Sequence, residues 1–222
     1  MRLNFLILGA QKSASTFLQF CLAQHPDVYI HNREMPIFED PDYANFSEAF
    51  VDRLFEGRSE RRLGIKRPSY IGRPEVPERI YRAVPEGKLI AVLRNPIDRA
   101  LSGYFYYMAG SYIPLLDADA GMRNLLAGHY AERYPRAYEI LEFGRYSKYL
   151  SMYKPYLDSG RMLLIKQEDL LADPGTSFRR VFEFLDVDPD FRPAAWRAKR
   201  QPGHYNLFSQ RMMRLASQIS FN

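Results

Sequence analysis

The stretch Phe5-Leu6-Ile7-Leu8-Gly9-Ala10-Gln11-Lys12-Ser13-Ala14-Ser15-Thr16-Phe17-Leu18 constrains this chain more than any other. The apolar run from Leu3 to Leu8 predicts a buried strand. A loop of small residues follows (Gly9, Ala10, Ser13, Ala14, Ser15, Thr16), with Lys12 in its middle, and then the start of a helix. Small side chains let backbone N–H groups approach an anion closely, and the helix aims the positive end of its dipole at the same point. Lys12 adds a full charge and the hydroxyls add donors, so in chemical terms the loop is a phosphate cradle. It is not GxxxxGK[ST]: Lys12 comes three residues after Gly9, and Ala14 stands where a second Gly would be expected. An ordinary βα turn that carries Ser and Lys would read the same way, so the loop alone leaves both options open.

The rest of the chain alternates strands and helices. Strands are predicted at Val28–Ile30, Leu63–Lys66, Lys88–Leu93 and Arg161–Ile165. The continuously apolar Leu89–Leu93 suits a central parallel strand, and Arg161–Ile165 reads as a third central one. Helices are predicted from Ser15 to about Gln24, over Phe46–Phe55 and Pro77–Val84, after Arg94, over Tyr146–Tyr156, and from Asp173 through Leu185. Asn32–Phe38 reads as a loop after a strand end, and residues 110–135 as mixed loop and helix. This alternation predicts an α/β fold, a three-layer sandwich with a mostly parallel central sheet. With 222 residues, a single domain over 1–222 is expected, its basic end from about 197 to 222 forming a tail.

Charge narrows the partners. The net charge of +5 suits an anionic ligand, yet no run of five or more Lys/Arg occurs, so no nucleic-acid partner is expected. The four histidines (His25, His31, His129, His204) lack ligand spacing, so no metal is expected. The one cysteine, Cys21, falls in the first helix and reads as core. The first strand begins almost at Met1 and no apolar run reaches membrane-spanning length, so a cytoplasmic chain with no membrane partner is expected.

A second loop matters as much as the first. Leu93-Arg94-Asn95-Pro96-Ile97-Asp98-Arg99-Ala100-Leu101-Ser102-Gly103-Tyr104 leaves a predicted central strand. Arg94, at that strand's carboxyl end, can fork onto a phosphate with two N–H groups. Ser102 comes about two helical turns later and reaches the same phosphate if the intervening loop folds back. A surface pairing of Arg94 with Asp98 is the plainer alternative, and Arg99 reads as a loop brace or an Asp98 partner. Tyr104, Phe105, Tyr106 and Tyr107 read as core and cleft wall.

Together the two loops resemble the PAPS-dependent sulfotransferases. That family's first pattern is close to GxxKSGTT, matched by Gly9, Lys12, Ser13, Ser15 and Thr16, with Ala14 for Gly and Ser15 for Thr. Its second, R-x-P-x-D-R-x-x-S-x-Y, is met by Arg94, Pro96, Asp98, Arg99, Ser102 and Tyr104. The segment Leu163–Pro174, followed by Phe182–Val187, is similar to a third family region, so the resemblance runs from residue 3 to about 190. It implies a P-loop-NTPase-like fold. It also implies that Gln11, Lys12, Ser13, Ala14, Ser15 and Thr16 hold the 5′-phosphosulfate of PAPS, with Arg94 and Ser102 on the 3′-phosphate. The two anion pockets would then grip opposite ends of one nucleotide, and the product would be PAP.

Sulfuryl transfer demands in-line positioning and charge stabilisation on the leaving oxygen, a task Lys12 can take where ATP chemistry uses a metal. The acceptor hydroxyl (or amine) needs a base. Lys66-Arg67-Pro68-Ser69-Tyr70 contains no His and is similar to the KTPxY segment of the carbohydrate, heparan-type branch. That branch carries a KExxFF loop whose Glu is the base, and Arg33-Glu34-Met35-Pro36-Ile37-Phe38 is similar, with Arg for Lys. Glu34 is therefore the expected base, with His31 the runner-up; a solvated loop carboxylate is the plainer alternative. Lys66 binds the acceptor or orients Glu34, or is simply a rim lysine. In the basic tail, Arg200 and Gly203 are expected over the 3′-phosphate, against the alternative of a solvated linker. The acceptor is a small molecule or a carbohydrate. Rival functions are a Mg-ATP-dependent small-molecule kinase with an atypical phosphate loop, and a non-catalytic PAP- or polyanion-binding protein. The kinase would want an Asp at the end of an apolar strand, and those ends carry Arg94 and Lys166.

Overall fold

The computed structural model describes residues 1–197. In chain order the elements are β1 (Phe5–Gly9), α1 (Ser15–Leu22), β2 (Val28–Glu34), α2 (Glu48–Arg53), β3 (Arg62–Lys66), α3 (Val76–Ala83), β4 (Lys88–Leu93), α4 (Pro96–Ala109), α5 (Ala118–Leu126), α6 (Glu139–Glu142), α7 (Tyr146–Leu150), α8 (Lys154–Asp158), β5 (Met162–Lys166), α9 (Gln167–Ala172) and α10 (Pro174–Phe184). Among the described residues, Met1–Arg94 and 146–197 form one compact unit, and Asn95–Arg145 belongs to a second.

The first unit holds the sheet. Its strand order is β2-β3-β1-β4-β5, and every neighbouring pair is parallel. Side chains alternate across the sheet. Phe5 and Ile7 share a core with Leu18, Cys21 and Leu22 of α1 and Phe178, Val181 and Phe182 of α10. Leu6 and Leu8 face the other way, into a core with Ile80 of α3 and the rings of Tyr70, Tyr153 and Tyr156. Two helical layers thus sandwich one parallel sheet, as the α/β alternation predicts. The connections reverse direction at β1: the chain moves to β2 and β3 on one side, then to β4 and β5 on the other. Ligands of such sheets bind at the carboxyl ends of strands flanking the reversal, where Gly9 and Arg94 lie.

Three sequence expectations need correcting. Arg161–Ile165 is not central: among the described residues β5 pairs only with β4 and forms an edge of the sheet. Helices cover both faces of a parallel sheet, so an edge strand is as apolar as a middle one. Asn32–Glu34 is strand rather than loop, since β2 runs on to Glu34. Tyr146–Tyr156 is not one helix: α7 gives way to a tighter turn, and α8 restarts with Pro155 in its first turn. Proline has no N–H to donate to the preceding turn, but it suits a helix start.

The second unit is helical. The Asn95 side chain caps α4 by accepting from the Ile97 N–H at 2.9 Å, and Pro96 pre-sets the first turn. Tyr104, Tyr107, Met108, Ile113 and Ile140 form its core. Arg99 is fully buried there and donates to the Ile140 carbonyl, so it braces the fold. Glu139 is equally buried, paired with Arg136 at 3.1 Å and with the Tyr107 hydroxyl.

Candidate active site

The first wall of the site is made of backbone. At Gly9 (φ 131°) a Cβ would collide with the Pro68 carbonyl, so glycine lets the 67–70 loop cross directly over the end of β1. The crossing is tied by Arg67 N–H to the Ile7 carbonyl at 3.0 Å, and the loop is tied to β4 by Ala10 N–H to the Val92 carbonyl at 2.7 Å. Lys12 (φ 66°) and Ala14 (φ 65°) are both left-handed, the conformation that curls successive amides around an anion. Ala14 explains the Gly of the family pattern: the position needs a left-handed residue, and here an alanine takes the strain. As the N-cap of α1 it offers no side-chain hydrogen bond, and the first turn carries no acidic residue. The first-turn amides of α1 are therefore not capped by the side chain of the N-cap residue. Ser13 is fully buried and its Oγ has no hydrogen-bond partner among the described residues. Ser15 is buried at the helix start, and Gln11 lies in the loop ahead of Lys12.

Arg94 completes this wall. Its guanidinium donates to the Lys12 carbonyl at 3.4 Å, and its own N–H donates to the Tyr146 hydroxyl at 3.4 Å. Burial, and secondarily the Arg94 charge, hold the Lys12 ammonium below the ordinary lysine range. The Arg94 guanidinium and the Lys12 main chain thus adjoin at the carboxyl ends of β4 and β1. Ser102 is buried on α4 of the second unit. Arg200 and Gly203 lie outside the described residues.

The second wall is made of side chains. Glu34 and Lys66 are partners across β2 and β3. From Ile30 to Glu34 the strand spends four residues while β3 spends two from Gly64 to Lys66, an irregularity that re-aims the strand end. Lys66 is almost completely buried. It donates to Thr16 Oγ1 at 2.9 Å and sits 3.6 Å from Glu34 Oε1. Burial lowers its pKa, against the pull of the Glu34 charge. Of the sequence options, orienting Glu34 is the one this geometry supports; Lys66 is not a rim lysine. Glu34 keeps 43% of its side chain exposed, open to an incoming group. His31 turns its ring onto its own strand, where Nδ1 accepts from the Arg33 N–H at 3.2 Å.

Sequence reasoning missed two residues here. Arg67 reaches Glu34 Oε2 through Nη1 at 3.2 Å and grips Glu39 through Nε at 3.1 Å and Nη2 at 2.7 Å. Glu39 is only 4% exposed and also accepts from the Ser69 hydroxyl. The available signal was a Glu-Asp pair directly after the apolar Ile37-Phe38, opposite an Arg where the KTPxY pattern has Thr. Tyr70, the tyrosine of that pattern, fastens the stretch after Glu34: its hydroxyl accepts from Phe38 N–H at 3.2 Å and donates to the Met35 carbonyl.

Known proteins resemble this chain in sequence and in fold. A solved sulfotransferase from Alicyclobacillus acidocaldarius superposes with a TM-score of 0.75 at 26% identity, over 99% of this chain and 94% of that one. Heparan sulfate glucosamine 3-O-sulfotransferase 6 of Homo sapiens is 31% identical over 82% of this chain and 52% of its own length. Heparan sulfate glucosamine 3-O-sulfotransferase 3A1 of Mus musculus is 32% identical over 82% of this chain and 45% of its own. The chain thus spans about half the length of these curated relatives. The sulfotransferase domain profile matches residues 3–214. With that profile running over nearly the whole chain and the parallel α/β sheet shared with a solved sulfotransferase, the chain belongs to the sulfotransferase family.

Proposed function

We propose that the chain moves the sulfuryl group of PAPS onto a hydroxyl of a carbohydrate acceptor, by direct in-line displacement within one sulfotransferase domain. The observation that carries this is the unbroken line Thr16–Lys66–Glu34, in which a single buried ammonium joins the donor cradle to the candidate base. The cradle fits an anionic donor: a buried Ser13 hydroxyl without a partner among the described residues, a helix start with no side-chain cap from its N-cap residue, and two adjoining cations. Ser13, the loop amides and Lys12 would hold its 5′ end, and Arg94 its 3′-phosphate. PAPS, when bound, supplies a sulfuryl group already activated toward transfer. Lys12 places positive charge where the leaving oxygen gains negative charge. Glu34 accepts the acceptor's hydroxyl proton on a carboxylate oxygen. Lys66 keeps that carboxylate aimed at the cradle, and the backbone crossing at Gly9 fixes the spacing of the two walls. The relatives named for glucosamine 3-O-sulfation favour a sugar hydroxyl as acceptor.

The test pairs thermal shift with transfer of radiolabelled sulfate from PAPS to sugar acceptors. The expected result is stabilisation by PAP that a chelator does not alter, and label in the sugar. Stabilisation by Mg-ATP but not by PAP would turn the assignment to a kinase. Stabilisation by PAP without transfer to any acceptor would turn it to a binding protein.

A further inference from the structure

The ion-pair cluster beside Glu34 contains more than the proposed chemistry uses. Glu34 is half open to solvent and has three rotatable side-chain bonds, so an unheld carboxylate would sample many positions at an entropic cost to any proton transfer. It is held from two sides: Lys66 on Oε1 and Arg67 on Oε2. The Lys66 contact comes from a buried, fully extended strand position. The Arg67 contact depends on what fixes Arg67.

Arg67 is fixed at both ends. Its N–H is bonded to the Ile7 carbonyl of β1 at 3.0 Å, and its carbonyl accepts from Tyr70 N–H at 3.1 Å. Two of its three side-chain nitrogens lie on the carboxylate of Glu39, a fork that a planar guanidinium makes with fixed orientation. Orienting that plane leaves Nη1 on Glu34. Glu39 is itself buried and bonded to the Ser69 hydroxyl. Two cations and two carboxylates balance in this cluster, so neither buried charge is left uncompensated.

We infer that Glu39 and Arg67 form a positioning clamp that sets the Glu34 carboxylate for proton transfer. Neither residue touches the reacting atoms, and the catalytic part of the inference rests on Glu34 being the base. A lysine at position 67 keeps the charge but cannot hold Glu39 with two nitrogens and Glu34 with a third.

The test uses the full chain with steady-state kinetics and ¹⁵N-arginine NMR. R67K and E39Q should each lower kcat about 10- to 100-fold with KM for PAPS within twofold of wild type, and E39D should recover part of the loss. The R67K/E39Q double variant should lose no more than the worse single variant, because the two act as one unit. Thermal melting checks that each variant folds. Independent of activity, the Arg67 guanidinium resonances should be resolved and slowly exchanging in wild type, collapse in E39Q, and shift in E34Q. Multiplicative losses in the double variant, or a KM effect without a kcat effect, would overturn the clamp. So would Arg67 resonances indifferent to E34Q, whatever the kinetics. Normal kcat in E34Q with Arg67 resonances responding to both carboxylates would sink the assignment of Glu34 as base and leave Arg67 as a bracket with no catalytic consequence.

Discussion

The two walls of the site hold their shape by different means. The wall after β1 is main chain: a glycine at φ 131°, two left-handed residues and hydrogen bonds between amides and carbonyls. The wall after β2 and β3 is side chain: Lys66, Arg67, Glu34 and Glu39 in ion pairs, with the Tyr70 hydroxyl as a pin. A backbone-built wall should tolerate trimming of its side chains and resist the addition of a single carbon. A side-chain-built wall should behave the other way round. The first presents amides to any phosphate oxygen; the second discriminates by the placement of a few atoms.

The largest expected effect sharpens this contrast. Lys12→Ala should cut kcat about 10³-fold while PAP affinity falls far less and the melting temperature holds, because the loop does not depend on that side chain for its shape; a melt that collapses with the activity would break the comparison. Next, Glu34→Gln should lower kcat about 10²-fold with little change in PAP binding, measured by calorimetry beside the transfer assay. Gly9→Ala attacks the backbone wall directly. It should cost about 3 kcal/mol in chemical denaturation, since the new methyl would run into the Pro68 main chain at a φ that side chains rarely adopt.

A smaller effect follows from Lys12's lowered pKa. Between that value and the ordinary 10.5, the unfolded chain keeps a proton the folded one has lost, so this group's contribution to stability rises with pH across the window. An anion in the cradle prefers the protonated ammonium, so PAP affinity should fall as pH climbs through the same window. Lys12→Arg, which stays charged, should flatten that decline; an equal decline in both proteins would remove Lys12 from the donor site. The smallest change is Ala14→Gly. It should stabilise the fold by about 0.5 kcal/mol, the relief of a left-handed alanine less the extra chain entropy of glycine.

The same contrast decides what could be read from the chain. The β1–loop–α1 segment and Arg94 were legible because backbone geometry at an anion site demands small residues and a strand-end cation, both visible in one dimension. Glu34 was singled out on a loop rather than at the end of a strand, because the irregularity between Ile30 and Glu34 leaves no mark in the apolar alternation. Arg67 and Glu39 were missed because their pairing exists only once β2 and β3 lie side by side. The placement of β5 in the middle of the sheet failed for a different reason: helices bury it on both faces, and an apolar run does not record how many neighbours a strand has.

Because main chain crosses main chain at Gly9 and Pro68 with no room for a methyl group, the gap between donor loop and Glu34 is set by the thickness of the polypeptide itself. Neither wall can drift without carrying the other. The ruler that spaces the two halves of the site is thus written into atoms that every amino acid shares, and changes of side chain elsewhere leave its length untouched.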